Sequence, residues 1–124
     1  MTSSDKKTLV IGASENPARY ANKAVRMLRD YGHEVYALGN RTGKIADTEI
    51  HKDWPQKSDF HSVTMYIGPA RQSDEVMANI ISLKPKRLIF NPGTENPVFY
   101  QRLKTAGIEA ILDCTLVMLQ GERY

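Results

Sequence analysis

A short apolar run that ends in Gly12-Ala13-Ser14 is the first place where this chain could do chemistry. A buried strand that turns sharply into a helix presents backbone N–H groups, and these bind phosphate because the helix dipole favours negative charge there. Gly12 permits a tight turn, and the small residues Ala13 and Ser14 would let a diphosphate approach the backbone. Arg19 and Lys23 lie on the first turns of the following helix, where a cation could close over phosphate groups. The segment therefore predicts a phosphate-binding corner.

The same corner also has an explanation without a ligand. Ser14 or Asn16 is suited to cap the helix, Pro17 suits its first turn, and exposed cations are common on helix surfaces. The spacing Gly-x-Ser-x-Asn-Pro also differs from the Gly-x-Gly-x-x-Gly of dinucleotide sites. Spacing alone leaves both interpretations open.

The end of the second predicted strand distinguishes between classes of nucleotide. An NAD site usually has Asp or Glu there, about 20 residues beyond the glycine turn, to bind the ribose hydroxyls. This chain has Gly39-Asn40-Arg41 instead, with Lys44 close behind. A cation suits a phosphate on the ribose, which NADP and coenzyme A both carry. An ordinary exposed arginine in a loop is the alternative interpretation of Arg41.

Thr94 and Cys114 lie in two later turns, and we expect structural roles for both. Thr94 is predicted to cap the helix that follows its turn, and contact of its hydroxyl with a ligand is the alternative. Cys114 would need a nearby base to act as a nucleophile, and no histidine lies at a sequence spacing known to supply one. The negative charge of the neighbouring Asp113 also disfavours the thiolate form of Cys114. We expect a structural cysteine, and the sequence assigns no catalytic residue and no metal ligand.

The elements that must position these residues alternate along the chain. Near-continuous apolar runs predict buried parallel strands at residues 8–11, 34–38, 62–67, 87–90 and 109–112, with a weaker candidate at 45–50. Helical patterns cover residues 19–31, 70–83 and 96–106, and residues 115–119 suit a short helix or an edge strand. The first helix is predicted to bury Tyr20, Ala24, Met27 and Leu28. We predict one domain, residues 1–124, with a three-layer α/β fold around a mostly parallel sheet of five or six strands.

In such a sheet a ligand lies beyond the carboxyl ends of the strands, where this chain has small and polar residues. The turns concerned are Gly12-Ala13-Ser14, Gly39-Asn40-Arg41, Gly68-Pro69, Asn91-Pro92-Gly93 and Asp113-Cys114. Residues 39–60 form one long connection, in which we predict a short helix at residues 52–56. Long connections in compact domains are often functional.

Composition narrows the class of protein. The chain has 124 residues, of which 41% are hydrophobic and 25% charged, as is typical of globular proteins. The net charge is +3, but Lys and Arg are spread along the chain, so we expect no nucleic-acid partner. No apolar stretch approaches the roughly 20 residues of a membrane span, and no signal peptide is recognisable. A lone cysteine excludes an internal disulfide, and we expect a cytoplasmic protein that contacts no membrane.

Four segments in register resemble the small bacterial coenzyme A-binding domain proteins. They are Val-Ile-Gly-Ala-Ser-Glu-Asn-Pro at residues 10–17 with Tyr20, residues 28–36, Asn-Pro-Gly-Thr-Glu-Asn at residues 91–96, and residues 106–108 with 112–114. Together they extend over nearly the whole chain. That family is similar to the coenzyme A-binding domain of the succinyl-coenzyme A synthetase alpha chain, so the resemblance implies a Rossmann-like parallel sheet.

The resemblance also implies roles for particular residues. The diphosphate of coenzyme A would meet Gly12, Ala13, Ser14, Arg19 and Lys23, and its adenosine with the 3′-phosphate would lie near Asn40 and Arg41. Gly68, Pro69, Pro92 and Gly93 would border the pantetheine arm. The phosphorylated histidine of the synthetase belongs to a second domain that has no counterpart here, so ligase activity does not follow.

We therefore expect non-catalytic binding of coenzyme A or an acyl-coenzyme A. One alternative is an enzyme that uses NADP or an acyl thioester, with Cys114 or Ser14 in the chemistry. A second alternative is a vestigial Rossmann-like fold that serves only for interaction with other proteins. The sequence assigns neither a protein partner nor an oligomeric state.

Overall fold

A central sheet dominates the computed structural model, which describes residues 5–124. The strands are β1 (Thr8–Ile11), β2 (Val35–Leu38), β3 (Gly43–Ile45), β4 (Thr48–His51), β5 (Ser62–Met65), β6 (Arg87–Phe90) and β7 (Glu109–Leu112). The helices are α1 (Tyr20–Asp30), α2 (Asp74–Ser82), α3 (Pro97–Thr105) and α4 (Thr115–Gln120), with a 3₁₀ turn at Pro69–Arg71. The strand order is β3-β4-β2-β1-β5-β6-β7, and every neighbouring pair is parallel except the β3–β4 hairpin.

The sheet is buried on both faces, as the apolar runs predict. All four residues of β1, β5 and β6 are buried. Successive side chains point to opposite faces, so Leu9 and Ile11 enter one core cluster while Val10 enters the other. Leu103 of α3 joins the first cluster and Leu28 of α1 the second, which makes helix, sheet and helix three layers. The Rossmann-like α/β architecture is confirmed.

The sheet has seven strands rather than five or six. The weak candidate at residues 45–50 is a hairpin, in which Ile45, Thr48 and Ile50 are buried while Asp47 and Glu49 are exposed. The predicted helix at residues 52–56 is wrong, since none of these residues is helical. Pro55 lacks an N–H group and restricts the residue before it, and the Tyr36 hydroxyl donates to the Asp53 carbonyl oxygen at 2.6 Å.

The helices differ from prediction mainly at their ends. The segment predicted as one helix at residues 70–83 is a 3₁₀ turn followed by α2, because Ser73 Oγ accepts from Val76 N–H and caps the helix there. The prediction that Tyr20 lies on the buried face of α1 is wrong: Tyr20 is 68% exposed, because the buried residues of the helix begin one position later, at Ala21. No helix within residues 5–124 has both the length and the apolar character needed to cross a bilayer.

Candidate functional site

A cleft of about 1050 Å³ opens at the carboxyl ends of the central strands. Most of the residues that line it lie at or just beyond the ends of β1, β2, β4, β5 and β6. These are Gly12 to Asn16, Leu38 to Thr42, Lys52, Trp54, Tyr66, Ile67, Arg71, Pro92 and Thr94. The remaining lining residues are Ile11, Ala18 to Ala21, Ile50 and Val76. This is the edge at which open α/β sheets bind their ligands.

Gly12 makes the sharp turn at the end of β1, but it does not offer its amide to a ligand. Its φ of 101° is strained for any residue with a side chain, and an added Cβ would lie 3.0 Å from Ile67 Cγ2. The N–H groups of Gly12 and Ala13 both donate to the Leu38 carbonyl oxygen, at 2.9 and 3.0 Å. These two amides fasten β1 to β2, so any phosphate must meet the amides that follow.

The loop between β1 and α1 is held by its own side chains. Ser14 Oγ accepts from Asn16 N–H at 3.1 Å, and Asn16 Oδ1 accepts from Ala18 N–H at 3.0 Å. Neither residue therefore caps α1, contrary to the ligand-free interpretation. Asn22, only 1% exposed, donates from Nδ2 to the Ser14 carbonyl oxygen at 2.8 Å and so ties the loop to the helix.

The first turn of α1 is left without a cap. Its N-cap residue Arg19 makes no side-chain cap hydrogen bond, and no acidic residue lies in the first turn. Within residues 5–124, the N–H groups of Ser14, Glu15, Tyr20 and Ala21 have no acceptor. By contrast, Ser73 caps α2 and Asn96 caps α3. Unlike α2 and α3, α1 thus presents backbone N–H groups and the positive end of its dipole to the cleft without a side-chain cap.

Four cations line the cleft and enter no ion pair with any residue of the described chain: Arg19, Arg41, Lys52 and Arg71. Glu15 also lines the cleft, but its Oε2 accepts from Lys44 N–H at 2.9 Å and its carboxylate packs against Gly43. Unpaired cations around a concave surface focus a positive potential into it. The cleft is therefore suited to an anion with several charges.

The structure brings together seven of the eleven binding residues proposed from the sequence. Gly12, Ala13, Ser14, Arg19, Asn40, Arg41 and Pro92 line the cleft, whereas Lys23, Gly68, Pro69 and Gly93 do not. The Lys23 ammonium lies over the exposed ring of Tyr20, 5.4 Å from its centroid. Sequence reasoning missed Lys52, Trp54 and Arg71. Lys52 directly follows a strand, so a correct assignment of β4 would have indicated it.

A buried amide fixes the wall formed by the ends of β5 and β6. Gln72 is 3% exposed, and its Nε2 donates to the carbonyl oxygens of Ile67 and Thr94 at 3.0 and 2.8 Å. Asn96 Nδ2 donates in turn to Gln72 Oε1 at 3.0 Å. The prediction that Thr94 caps α3 is wrong, because its hydroxyl donates to the Asn91 carbonyl oxygen and Asn96 is the cap. This wall is rigid because its polar groups satisfy one another.

Cys114 lies half-buried beyond the end of β7, outside the residues that line the cleft. Its backbone N–H donates to Asp113 Oδ1 at 2.7 Å, and Arg123 pairs with the other oxygen at 2.9 Å, which lowers the pKa of the Asp113 carboxyl. Nearby, burial raises the pKa of the Tyr66 phenol. Across residues 5–124, no three His, Cys, Asp or Glu side chains are grouped to hold a metal ion.

Comparison with known proteins identifies relatives of this chain. A family model described as a CoA binding domain matches residues 6–120. A crystal structure of an uncharacterized protein is 41% identical, with a TM-score of 0.93, and the match covers 98% of this chain and 100% of that one. No curated protein matches the chain.

Two further solved structures have lower identity. A conserved hypothetical protein from Pyrococcus furiosus is 26% identical, with a TM-score of 0.76 over 90% of this chain and 97% of that one. A protein from Thermus thermophilus is 23% identical, with a TM-score of 0.82 over 97% of this chain and 91% of that one, and this match bears on the fold alone.

Proposed function

This chain belongs to the CoA-binding domain family, and from that premise we propose that it binds coenzyme A or an acyl-coenzyme A in the cleft without catalysing a reaction. One observation carries the proposal: the uncapped first turn of α1 opens into a cleft with four cations that form no ion pair within residues 5–124. Coenzyme A carries a diphosphate and a ribose 3′-phosphate, so its charge and that of the cleft are complementary.

The diphosphate is assigned to the β1–α1 corner. The N–H groups of Ser14 and Glu15, with those of Tyr20 and Ala21, are the donors left open there within residues 5–124. Gly12 and Ala13 act through their small size, which lets the diphosphate approach. Arg19 projects from the N-cap of α1 and Arg71 from the turn after β5, so the two guanidinium groups reach the corner from different strand ends.

The ribose 3′-phosphate is assigned to the end of β2. Asn40 and Arg41 follow β2 directly, and Lys52 follows β4, which pairs with β2 through Leu38 and His51. Parallel neighbours lie about 5 Å apart, so both cations can reach one phosphate. A carboxylate at this end would favour the free ribose hydroxyls of NAD, and the chain has none in that turn.

The pantetheine arm is assigned to the wall beyond β5 and β6. Pro92 lines the cleft there, with Ile67 and Val76 supplying apolar surface. Gly68, Pro69 and Gly93 lie in the same two turns and would border the arm further out. The single cysteine, Cys114, lies outside the residues that line the cleft, which supports binding without nucleophilic chemistry.

Calorimetric titration of ligand-free protein with coenzyme A, acetyl-coenzyme A, NADP and NAD tests the proposal. We expect the two coenzyme A ligands to bind more tightly than NADP, and NAD to bind most weakly. Arg41→Gln should weaken coenzyme A but not 3′-dephospho-coenzyme A, whereas Arg102→Gln, which removes an ion pair to Asp74 away from the cleft, serves as the control. Binding of NAD alone would overturn the proposal.

A further inference from the structure

The connection from β4 to β5 places the chain's single tryptophan at the cleft. Trp54 is half-buried and lines the cleft with Lys52 and Ile50. Its inner side packs against the core cluster that contains Leu38 and Phe60. A large aromatic side chain with one side on the core and another at a polar cleft is a platform for a flat, apolar group.

Several contacts hold this platform in place. The Tyr36 hydroxyl donates to the carbonyl oxygen of Asp53, the residue before Trp54. The Tyr36 ring stacks on His51 at 4.5 Å and meets the edge of Phe60 at 6.2 Å. The backbone on which Trp54 sits is thus fastened to β2, so an arriving ligand would not have to order it.

The location of Trp54 relates it to the proposed phosphate contacts. Gly39 N–H donates to the His51 carbonyl oxygen at 2.9 Å, so the residues that follow β2 and those that follow β4 start next to each other. Lys52 comes next, and Trp54 lies two residues further on. The indole Nε1 donates to no described residue and is not among the buried orphaned atoms, so it is accessible.

We propose that Trp54 is the surface on which the adenine of the ligand stacks, with Arg41 and Lys52 beside it at the ribose phosphate. The inference rests on the proposed function and adds to it a residue that recognises the base. Adenine offers an extended π face to an aromatic side chain, and truncating such a stacking partner is costly for binding. The base would then cover Trp54 while the diphosphate reaches the open amides of α1.

Because Trp54 is the single tryptophan of the chain, its emission reports directly on this contact. Titration with coenzyme A and 3′-dephospho-coenzyme A should quench the emission, whereas 4′-phosphopantetheine, which lacks adenine, should leave it unchanged. Trp54→Leu should weaken coenzyme A binding by about tenfold or more, and Trp54→Phe should retain most of the affinity. Val117→Ala, at an exposed side chain of α4 outside the cleft, is the control and should leave both the affinity and the quenching intact.

The outcomes separate this inference from the proposed function. If calorimetry detects coenzyme A binding while the emission stays constant, the stacking inference is wrong and the proposed function stands. The inference also fails if Trp54→Leu weakens coenzyme A and 4′-phosphopantetheine equally, since that would indicate a purely structural role. If calorimetry detects no binding of coenzyme A to the unaltered protein, both are overturned.

Discussion

The two ends of the sheet are both rich in positive charge, but they use it in opposite ways. At the carboxyl ends, four cations surround an open cleft without ion pairs within residues 5–124. At the amino ends, Arg87 is only 8% exposed, and its guanidinium lies 4.5 Å from the ring centroid of Tyr124. The first arrangement leaves its charges for a ligand, and the second buries its charge inside the protein.

Hydrogen bonds close the amino end. Arg87 Nε donates to Ser62 Oγ at 2.6 Å, and Ser62 Oγ is 2.7 Å from His61 Nδ1. Thr8 Oγ1 donates to the Lys6 carbonyl oxygen, so in its 2.6 Å contact with Tyr124 the tyrosine hydroxyl is the donor. We call Thr8, His33, His61, Ser62, Arg87 and Tyr124 the amino-end cluster.

The difference between the two ends of the sheet indicates which of them is available to bind a ligand. Polar groups that are satisfied internally contribute to stability, whereas accessible groups without partners at a concave edge are available for binding. Nη2 of Arg87 is a buried atom without a partner, but it is enclosed by Tyr124 and offers no access. Changes at the amino end should therefore affect stability, and changes at the carboxyl end should affect binding.

We expect the largest loss of stability and of coenzyme A binding from a substitution at Gly39, where the backbone of the cleft is most tightly packed. A Cβ at residue 39 would lie 2.4 Å from the Ala13 carbonyl oxygen and 3.0 Å from Ile50 Cγ2. Gly39→Ala should therefore separate β1 from β2, destabilise the protein by about 3 kcal/mol and abolish coenzyme A binding. Urea denaturation and calorimetry measure the two effects. Gly68→Ala is the matched control for stability, because nothing lies within 4 Å of its added Cβ, and an equal loss of stability in both variants would rule out the crowding at residue 39 as the cause.

Acid should act mainly on the amino end. Burial lowers the pKa of His61 from 6.5 to about 4, and the charges of Arg87 and Lys6 add to the effect. Burial also lowers the pKa of His33. The unfolded chain therefore binds more protons than the folded one between pH 6.5 and 4, so stability should fall as the pH falls through this window.

We expect a loss of about 1–2 kcal/mol across that window, since one pKa unit corresponds to about 1.4 kcal/mol and His61 is partly solvated. Denaturation curves at a series of pH values measure the slope. His61→Gln should flatten it, whereas Gln101→Ala, which changes an exposed side chain of α3 without a titratable group, should leave it unchanged. A slope that is identical in all three proteins would rule out this role for His61.

A smaller effect is expected from one hydroxyl group of the amino-end cluster. Tyr124→Phe removes the donor to Thr8 but keeps the ring over Arg87, so it should cost about 1 kcal/mol. Coenzyme A affinity should not change. Tyr20→Phe provides the control, because that side chain is largely exposed and its loss of a hydroxyl should be neutral. A weakened affinity in Tyr124→Phe would show that the two ends are coupled.

The sequence predicts the layers of this fold well, because strands buried on both faces leave an unmistakable apolar run, as in Val63 and Leu88 with their neighbours. It predicts the hairpin poorly, since Ile45 and Ile50 alone mark a buried side among polar residues. The pattern of residues 52–56 wrongly indicates a helix, because the local sequence does not reveal that the hydroxyl of Tyr36, distant in sequence, donates to the Asp53 carbonyl oxygen.

The candidate site shows the same division. Arg19, Asn40 and Arg41 could be found because each follows directly from the end of a predicted strand or the start of a helix. The bonding of the Gly12 and Ala13 amides to Leu38 could not, because it depends on which strand lies beside β1. Arg71 was missed because the pattern predicts a helix from residue 70, whereas the folded chain has a 3₁₀ turn at Pro69–Arg71 that brings Arg71, rather than Gly68 or Pro69, to the cleft.

Binding at the open amides of α1 can be observed in a titration of ¹⁵N-labelled protein with coenzyme A, followed one amide at a time. We expect the resonances of Ser14, Glu15, Tyr20 and Ala21 to shift as phosphate meets their N–H groups, while those of His61 and Arg87 stay in place. Shifts at the amino-end cluster with none at the β1–α1 corner would show that the ligand binds elsewhere.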